Sequence, residues 1–248
     1  HGWASNLPNG VARVRDGADT LPAMRTVAAI AIDGPAASGK SAVGVALARR
    51  LGHRFFDTGA MYRAVTWLAL HRGVDVRDGD ALTALAERAS IAVRETTGDA
   101  IEPTGVTVDG ADATPHLRDA DVEANVSLVS RVPAVRAALV RIQRELAAAG
   151  GVVMAGRDIG SVVLPDAGLK VYLDASREVR ARRRAAQMRD SGTEPDFDAL
   201  LADLARRDGI DSSREASPLT AASDAVIINT DTLSIEEVVR RIEALAHG

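Results

Sequence analysis

The chain has 248 residues, of which 46% are apolar and 26% charged, a formal net charge of −4 and no cysteine. That content can bury a full core and excludes a disordered chain; the acidic balance argues against a general nucleic-acid coat, and the missing cysteines exclude disulfides and thiolate metal sites. No apolar run reaches the ~18 residues of a membrane span, and the N-terminus lacks the apolar core of a signal peptide, so a cytoplasmic protein without membrane or nucleic-acid partners is expected.

Residues 1–23 carry Pro8, Asn9, Gly10, Gly17 and Pro22 with no apolar period, and read as a mobile extension before a folded domain at 24–248. Val27 to Ile32 is an apolar run of strand length. It leads into Gly34-Pro35-Ala36-Ala37-Ser38-Gly39-Lys40-Ser41, which spells G-x-x-x-x-G-K-[ST], and then into Ala42 to Leu51, whose Val43, Leu47, Ala48 and Leu51 recur at helical spacing. Strand, glycine-bounded loop and helix are the context this phosphate-cradling motif requires. Inward backbone N–H groups and a helix N-terminus suit a triphosphate; Lys40 can reach its outer phosphates and the Ser41 hydroxyl a magnesium ion.

His53 to Asp57 is expected as a short strand, capped into a helix through Met61, Val65 and Leu68, with a further helix from Asp80 to Ser90. From 91 to 117 the pattern changes to short alternating runs, including Val106-Thr107-Val108 before an Asp109-Gly110 turn, and predicts a small antiparallel β insertion. Helical character returns from Asp119 to Val132, and Pro133 opens a helix that Gly150-Gly151 closes. Val152 to Ala155 and Leu169 to Leu173 read as strands, the second followed by an arginine-rich helix that Gly192 and Pro195 break. A helix from Phe197 to Arg207, a polar loop from Asp208 to Ser223, a fifth strand at Ala225 to Ile228 and a last helix at Ile235 to Leu245 complete the chain. Strands alternating with helices predict an α/β fold: a five-stranded parallel sheet with helices on both faces.

The loop alone does not separate a switch, a motor or a kinase. No asparagine precedes a lysine, so the guanine-reading Asn-Lys-x-Asp sequence is absent, and the strand at Val152 ends in Ala-Gly-Arg-Asp rather than the apolar-Asp-Glu of a motor ATPase. Asp33-Gly34-Pro35, the loop itself, Asp57-Thr58-Gly59-Ala60-Met61-Tyr62-Arg63, Gly156-Arg157-Asp158-Ile159-Gly160, Pro165-Asp166-Ala167 and Arg207-Asp208-x-x-Asp211-x-x-Arg214-x-x-x-Pro218-Leu219, in this order, resemble bacterial cytidylate kinases of the P-loop nucleoside monophosphate kinase type.

The resemblance implies magnesium-dependent transfer of the γ-phosphoryl group of ATP to CMP or dCMP by a monomer with three parts: a core, an acceptor-binding insertion at 91–117 and a helical lid at about 177–196. It implies Gly34 to Ala42 for ATP; Arg63, Arg157 and Arg214 near the acceptor phosphate; Arg207 and Asp211 at the ribose; and Thr58 and Tyr62 lining the acceptor pocket. Cytosine presents an amino donor beside two acceptors, which suits Asp158 on one edge and Arg136 and Ser127 on the other. Lys40, Arg157, Asp158 and one lid arginine, Arg182, are the expected catalytic set, with Ser41 and then Asp33, through water, on the magnesium side. The alternatives are another small-molecule kinase of this architecture, of adenylate or shikimate type, and an ATP-binding regulatory module without turnover.

Overall fold

The computed structural model describes residues 27–95, 102–190, 192–214 and 217–247; the extension expected at 1–23, and Gly98 and Ile101 of the insertion, lie outside the described residues. In chain order the elements are β1 (Ala29–Asp33), α1 (Lys40–Leu51), β2 (Arg54–Asp57), α2 (Thr58–His71), α3 (Gly79–Arg88), β3 (Ile91–Glu95), β4 (Thr104–Val108) and β5 (Ala111–Asp112). They continue with α4 (Ala120–Val129), α5 (Pro133–Ala147), β6 (Val152–Gly156), β7 (Leu169–Asp174), α6 (Arg177–Asp190), α7 (Phe197–Ser212), β8 (Val226–Asn229) and α8 (Ile235–His247).

The main sheet has the order β2-β6-β1-β7-β8 with every pairing parallel, as the alternation of strand and helix predicted. Because side chains alternate along a strand, β1 sends Ile30 and Ile32 to one face and Ala31 to the other. The first face packs against Val43 and Leu47 of α1 and Val238, Val239 and Ile242 of α8; the second joins Met154 and Phe56 under Val140 and Leu146 of α5. Helices therefore cover both faces, and β1 is buried at the centre with its carboxyl end opening into the crevice where parallel sheets hold ligands.

The small sheet β3-β4-β5 is antiparallel. Val108 and Ala111 pair across a two-residue turn in which Asp109 and Gly110 have φ of 50° and 82°, the left-handed pair that a twisted hairpin demands and that the Asp-Gly dipeptide predicted. This sheet also closes the outer edge of the main one. Glu95 accepts from the Phe55 N–H at 2.8 Å and the Thr104 hydroxyl from the Asp57 N–H at 2.8 Å, satisfying donors that an edge strand would otherwise leave open.

One sequence expectation is corrected: α7 does not end at Arg207 but runs through Gly209 to Ser212. Asp208 and Asp211, at the start of the stretch taken for a loop, form a paired helix face. Asp208 binds Arg180 at 2.6 and 3.1 Å, and Asp211, itself buried, binds Arg157 at 2.8 Å and also Arg214. Ion pairing to other elements here outweighs the low helix propensity of Gly209. Beneath α7, Leu200, Leu201 and Leu204 pack with Ala181 of α6 onto Ala36, so α6 and α7 sit directly on the phosphate loop.

Candidate active site

At the end of β1 the chain must turn inward, and it does so at Gly34, whose φ is 147°. A Cβ there would overlap the Leu173 carbonyl oxygen of β7, so both conformation and space require glycine. The loop then delivers Lys40 as the first residue of α1, buried, with its Nζ donating to the Pro35 carbonyl at 2.6 Å. Arg180 and Arg183 of α6 donate to the loop carbonyls of Ala36 at 3.2 Å and Ser38 at 3.3 Å, and Arg183 also donates to the Thr230 hydroxyl at 3.0 Å. These two arginines, one helical turn apart on one face, are the ones bonded to the loop, and of the two Arg183 lines the cavity; Arg182, the expected member of the run, is exposed and lies off the cavity wall. A triplet on a helix spreads its members about 100° apart, so a run of arginines cannot show which one faces inward.

The two residues expected on the magnesium side, Ser41 and then Asp33 through water, both have protein partners. Asp33 is buried and both its oxygens are taken, accepting from the Ile159 and Gly160 N–H groups at 2.7 Å each, so it anchors the turn after β6 instead of facing a phosphate. Ser41 has another partner: its hydroxyl donates to Asp57 Oδ2 at 2.7 Å, while Asp57 Oδ1 caps α2 by accepting from the Gly59 N–H at 2.9 Å. Burial would raise the Asp57 carboxyl, but Arg63, Arg118, Ser41 and Lys40 outweigh it and hold it below the ordinary value. An ionised carboxylate and a hydroxyl beside Lys40 form an all-oxygen set that suits magnesium.

Burial pushes the Asp33 carboxyl up from 3.8 to about 6 despite its two backbone donors. Between those values the folded state binds the extra proton, so this contribution to stability is present in acid and lost as pH rises through about 6. The unfolding free energy of the parent protein relative to Asp33→Asn, from urea titrations, is therefore expected to decline between about pH 4 and pH 6; a flat difference would show that Asp33 does not titrate there.

Opposite the loop lies a second set of polar residues, rich in arginine. Arg157, following β6, donates from Nε to Asp211 at 2.8 Å and from NH1 to the Gly34 carbonyl at 3.0 Å, which ties it to the loop itself. Arg214 holds the other Asp211 oxygen. Asp158 is buried and pairs with NH2 of the buried Arg136 of α5; it does not cap the π-type turn at Ile159–Val163 that follows it. The Arg136 guanidinium lies over the Tyr62 ring at 5.4 Å, and Ser127 of α4 is buried nearby on the cavity wall. The Thr58 hydroxyl donates to the Ala155 carbonyl at 2.9 Å. Arg63 binds Glu123 at 2.7 Å and Arg207 binds its second oxygen at 2.9 Å.

Lys40, Ser41, Thr58, Tyr62, Arg63, Ser127, Arg136, Arg157, Asp158, Arg207, Asp211 and Arg214 line one cavity of about 1410 Å³, although they come from seven separate parts of the chain. Among the described residues, the Nε atoms of Arg136, Arg207 and Arg214 are buried without a protein acceptor, a pattern that asks for a polar ligand. Glu123 and Asp57 are the residues that sequence reasoning missed. Asp57 opened a quoted motif and could have been found; Glu123 sits in α4 with no motif around it.

Two anion-binding halves share this cavity, one of backbone donors and Lys40 and one of guanidinium groups, and that pairing on a parallel sheet defines a phosphoryl-transfer protein of the P-loop class. The sequence model of the cytidylate kinase family matches residues 30–248, and the chain belongs to that family. Among curated relatives it is 47% identical to a cytidylate kinase of Pelotomaculum thermopropionicum, over 87% of this chain and 94% of the relative. It is 49% identical to that of Rhodococcus opacus, over 86% and 92%, and 49% identical to that of Geobacillus kaustophilus, over 88% and 96%.

Proposed function

We infer that the chain transfers the γ-phosphoryl group of ATP to CMP or dCMP, giving ADP and CDP or dCDP. The observation that carries this reading is the single cavity in which Lys40 and the arginine set face each other. An acceptor phosphate oxygen forms the new bond to the γ-phosphorus as the bond to the bridging oxygen of ADP breaks, and the enzyme's task is to align the two and offset the charge between them.

Lys40 and the loop amides take the outer phosphates of ATP, and Arg157, bonded to both Gly34 and Asp211, stands where the two nucleotides meet. Arg63, with Arg157 and Arg214, takes the acceptor phosphate; Arg207 and Asp211 take the ribose; Thr58 and Tyr62 form the pocket wall. The Asp158 carboxylate accepts from the cytosine amino group, and Arg136 and Ser127 serve its acceptor edge. Ser41 and Asp57 would hold magnesium, which would supply positive charge against the phosphates. The sheet β3-β4-β5 serves as the acceptor-side lobe and α6 as the lid, with Arg183 and Arg180 as its phosphate-side cations in place of Arg182. The reading includes a monomer working in the cytoplasm; among the described residues no helix is long and apolar enough to cross a membrane.

A coupled assay with ATP and a panel of CMP, dCMP, UMP, AMP and shikimate tests the assignment. The two cytidine nucleotides should give the highest kcat/KM. Equal or better turnover of AMP or shikimate would overturn it.

A further inference from the structure

Among the described residues, Glu123 is the cavity carboxylate to which four guanidinium groups converge. Its Oε1 accepts from Arg63 Nε at 2.7 Å and lies 3.4 Å from Arg118 NH1; its Oε2 accepts from Arg207 NH1 at 2.9 Å and lies 3.8 Å from Arg184 NH2. The four cations come from α2, the turn before α4, α6 and α7, so Glu123 ties four separate parts of the chain together. Burial alone would raise its carboxyl, but Arg63, Arg207, Arg118 and Arg184 outweigh that and hold it well below the ordinary carboxylate range.

Two features separate this cluster from a structural ion pair. The first is charge. Besides Glu123 the four arginines have two further buried carboxylates, Glu102 at Arg118 and Asp57 beside Arg63, so four cations meet three buried anions and the group retains a small cationic excess facing the cavity. A cluster built for stability alone would be balanced, because unpaired buried charge is costly. The second is direction. Glu123 grips Arg63 through Nε, the inner edge of the guanidinium, and among the described residues no carboxylate or carbonyl accepts from its terminal nitrogens. The outer fork, the part that matches two oxygens of a phosphate, is left open. Arg207 likewise spends one terminal nitrogen on Glu123 while its buried Nε has no acceptor.

We propose that Glu123 is a positioning residue for the acceptor nucleotide: it holds Arg63 and Arg207 by one edge each, against their mutual repulsion, and so keeps their remaining donors aimed at the acceptor's phosphate and ribose. This rests on the (d)CMP kinase reading and deepens it. Without the carboxylate the two arginines repel and sample other rotamers, and the acceptor must reorder them on binding.

The test uses the full chain and two variants, Glu123→Gln and Glu123→Asp, with KM measured separately for CMP and ATP, direct titration of each nucleotide by calorimetry, and thermal unfolding. Glu123→Gln is expected to raise the KM and the dissociation constant for CMP about tenfold while those for ATP change less than about twofold. Glu123→Asp, which keeps the charge on a shorter stem that cannot reach both arginines, should fall between. Tighter CMP binding by Glu123→Gln would overturn the proposal, since it would make Glu123 a competitor of the acceptor phosphate. So would unchanged constants, or a parallel rise for both nucleotides with a lowered melting temperature, which would mark a merely structural role. If Glu123→Gln does not fold, Glu123→Asp decides by the same CMP-only criterion. Failure of the parent protein to phosphorylate CMP would sink the underlying reading instead, and is seen before any variant is compared.

Discussion

Lys40→Met is expected to fold, to melt no lower than the parent protein, and to lose about 10²- to 10³-fold in kcat, the usual consequence of removing one preorganised donor to a transition-state charge. The stability half follows from burial. Desolvation and the neighbouring Arg157 charge lower the Lys40 pKa well below its ordinary 10.5, against the weaker opposing pull of Asp57, Asp33 and Asp211. A lysine whose folded pKa is depressed holds its proton less tightly than in the unfolded chain, so at neutral pH it opposes folding, and this cost is relieved only as pH rises toward 10.5. Methionine keeps an apolar stem in the same space without that charge. The catalytic half follows from position: the ammonium is held at the Pro35 carbonyl at the start of α1, with no carboxylate in direct contact with it among the described residues, where entering phosphates would meet it. Thermal unfolding and single-turnover rates on the same preparation check both halves together, and a variant with a near-native rate would count against the enzyme reading.

The second large effect belongs to Asp158. Asp158→Ala leaves the buried Arg136 with the Ser130 carbonyl, at 3.2 Å, as its remaining bonded partner, and breaking a buried ion pair from one side typically costs about 3–5 kcal/mol. That variant is therefore expected to be strongly destabilised and is a poor probe of specificity. Asp158→Asn preserves volume and one acceptor oxygen while adding an amide donor. Cytosine offers an amino donor where uracil offers a carbonyl, so the ratio of kcat/KM for CMP over UMP should fall about 10- to 100-fold, in keeping with about 1–3 kcal/mol for a well-placed base contact. The decisive observable is the ratio, since loss of the Arg136 pairing lowers both rates. An unchanged ratio in a folded Asp158→Asn protein would remove Asp158 from base reading.

Much of this protein could be read directly from its letters. The phosphate motif needed no partner from afar: glycine at Gly34 and Gly39, a lysine, a hydroxyl and flanking strand and helix patterns are all local, and local rules place them correctly. The Asp109-Gly110 hairpin and the Pro133 start of α5 were legible for the same reason. What local rules left open was which polar group bonds which. Asp33 lies next to the loop in sequence yet is consumed by two amides more than a hundred residues away, and Asp57 holds Ser41 in its stead.

Composition, periodicity and short-range motif thus determined the parallel α/β sheet, the anion-binding loop and the likeness to one family, because hydrophobic burial and backbone geometry act over a few residues at a time. The tertiary structure alone decided that Arg183 rather than Arg182 reaches the loop, that α7 continues to Ser212, and that Glu123 gathers arginines from four elements. Those outcomes depend on pairing buried charges across long separations in sequence, and a long polar side chain carries no mark of which partner the fold will bring to it.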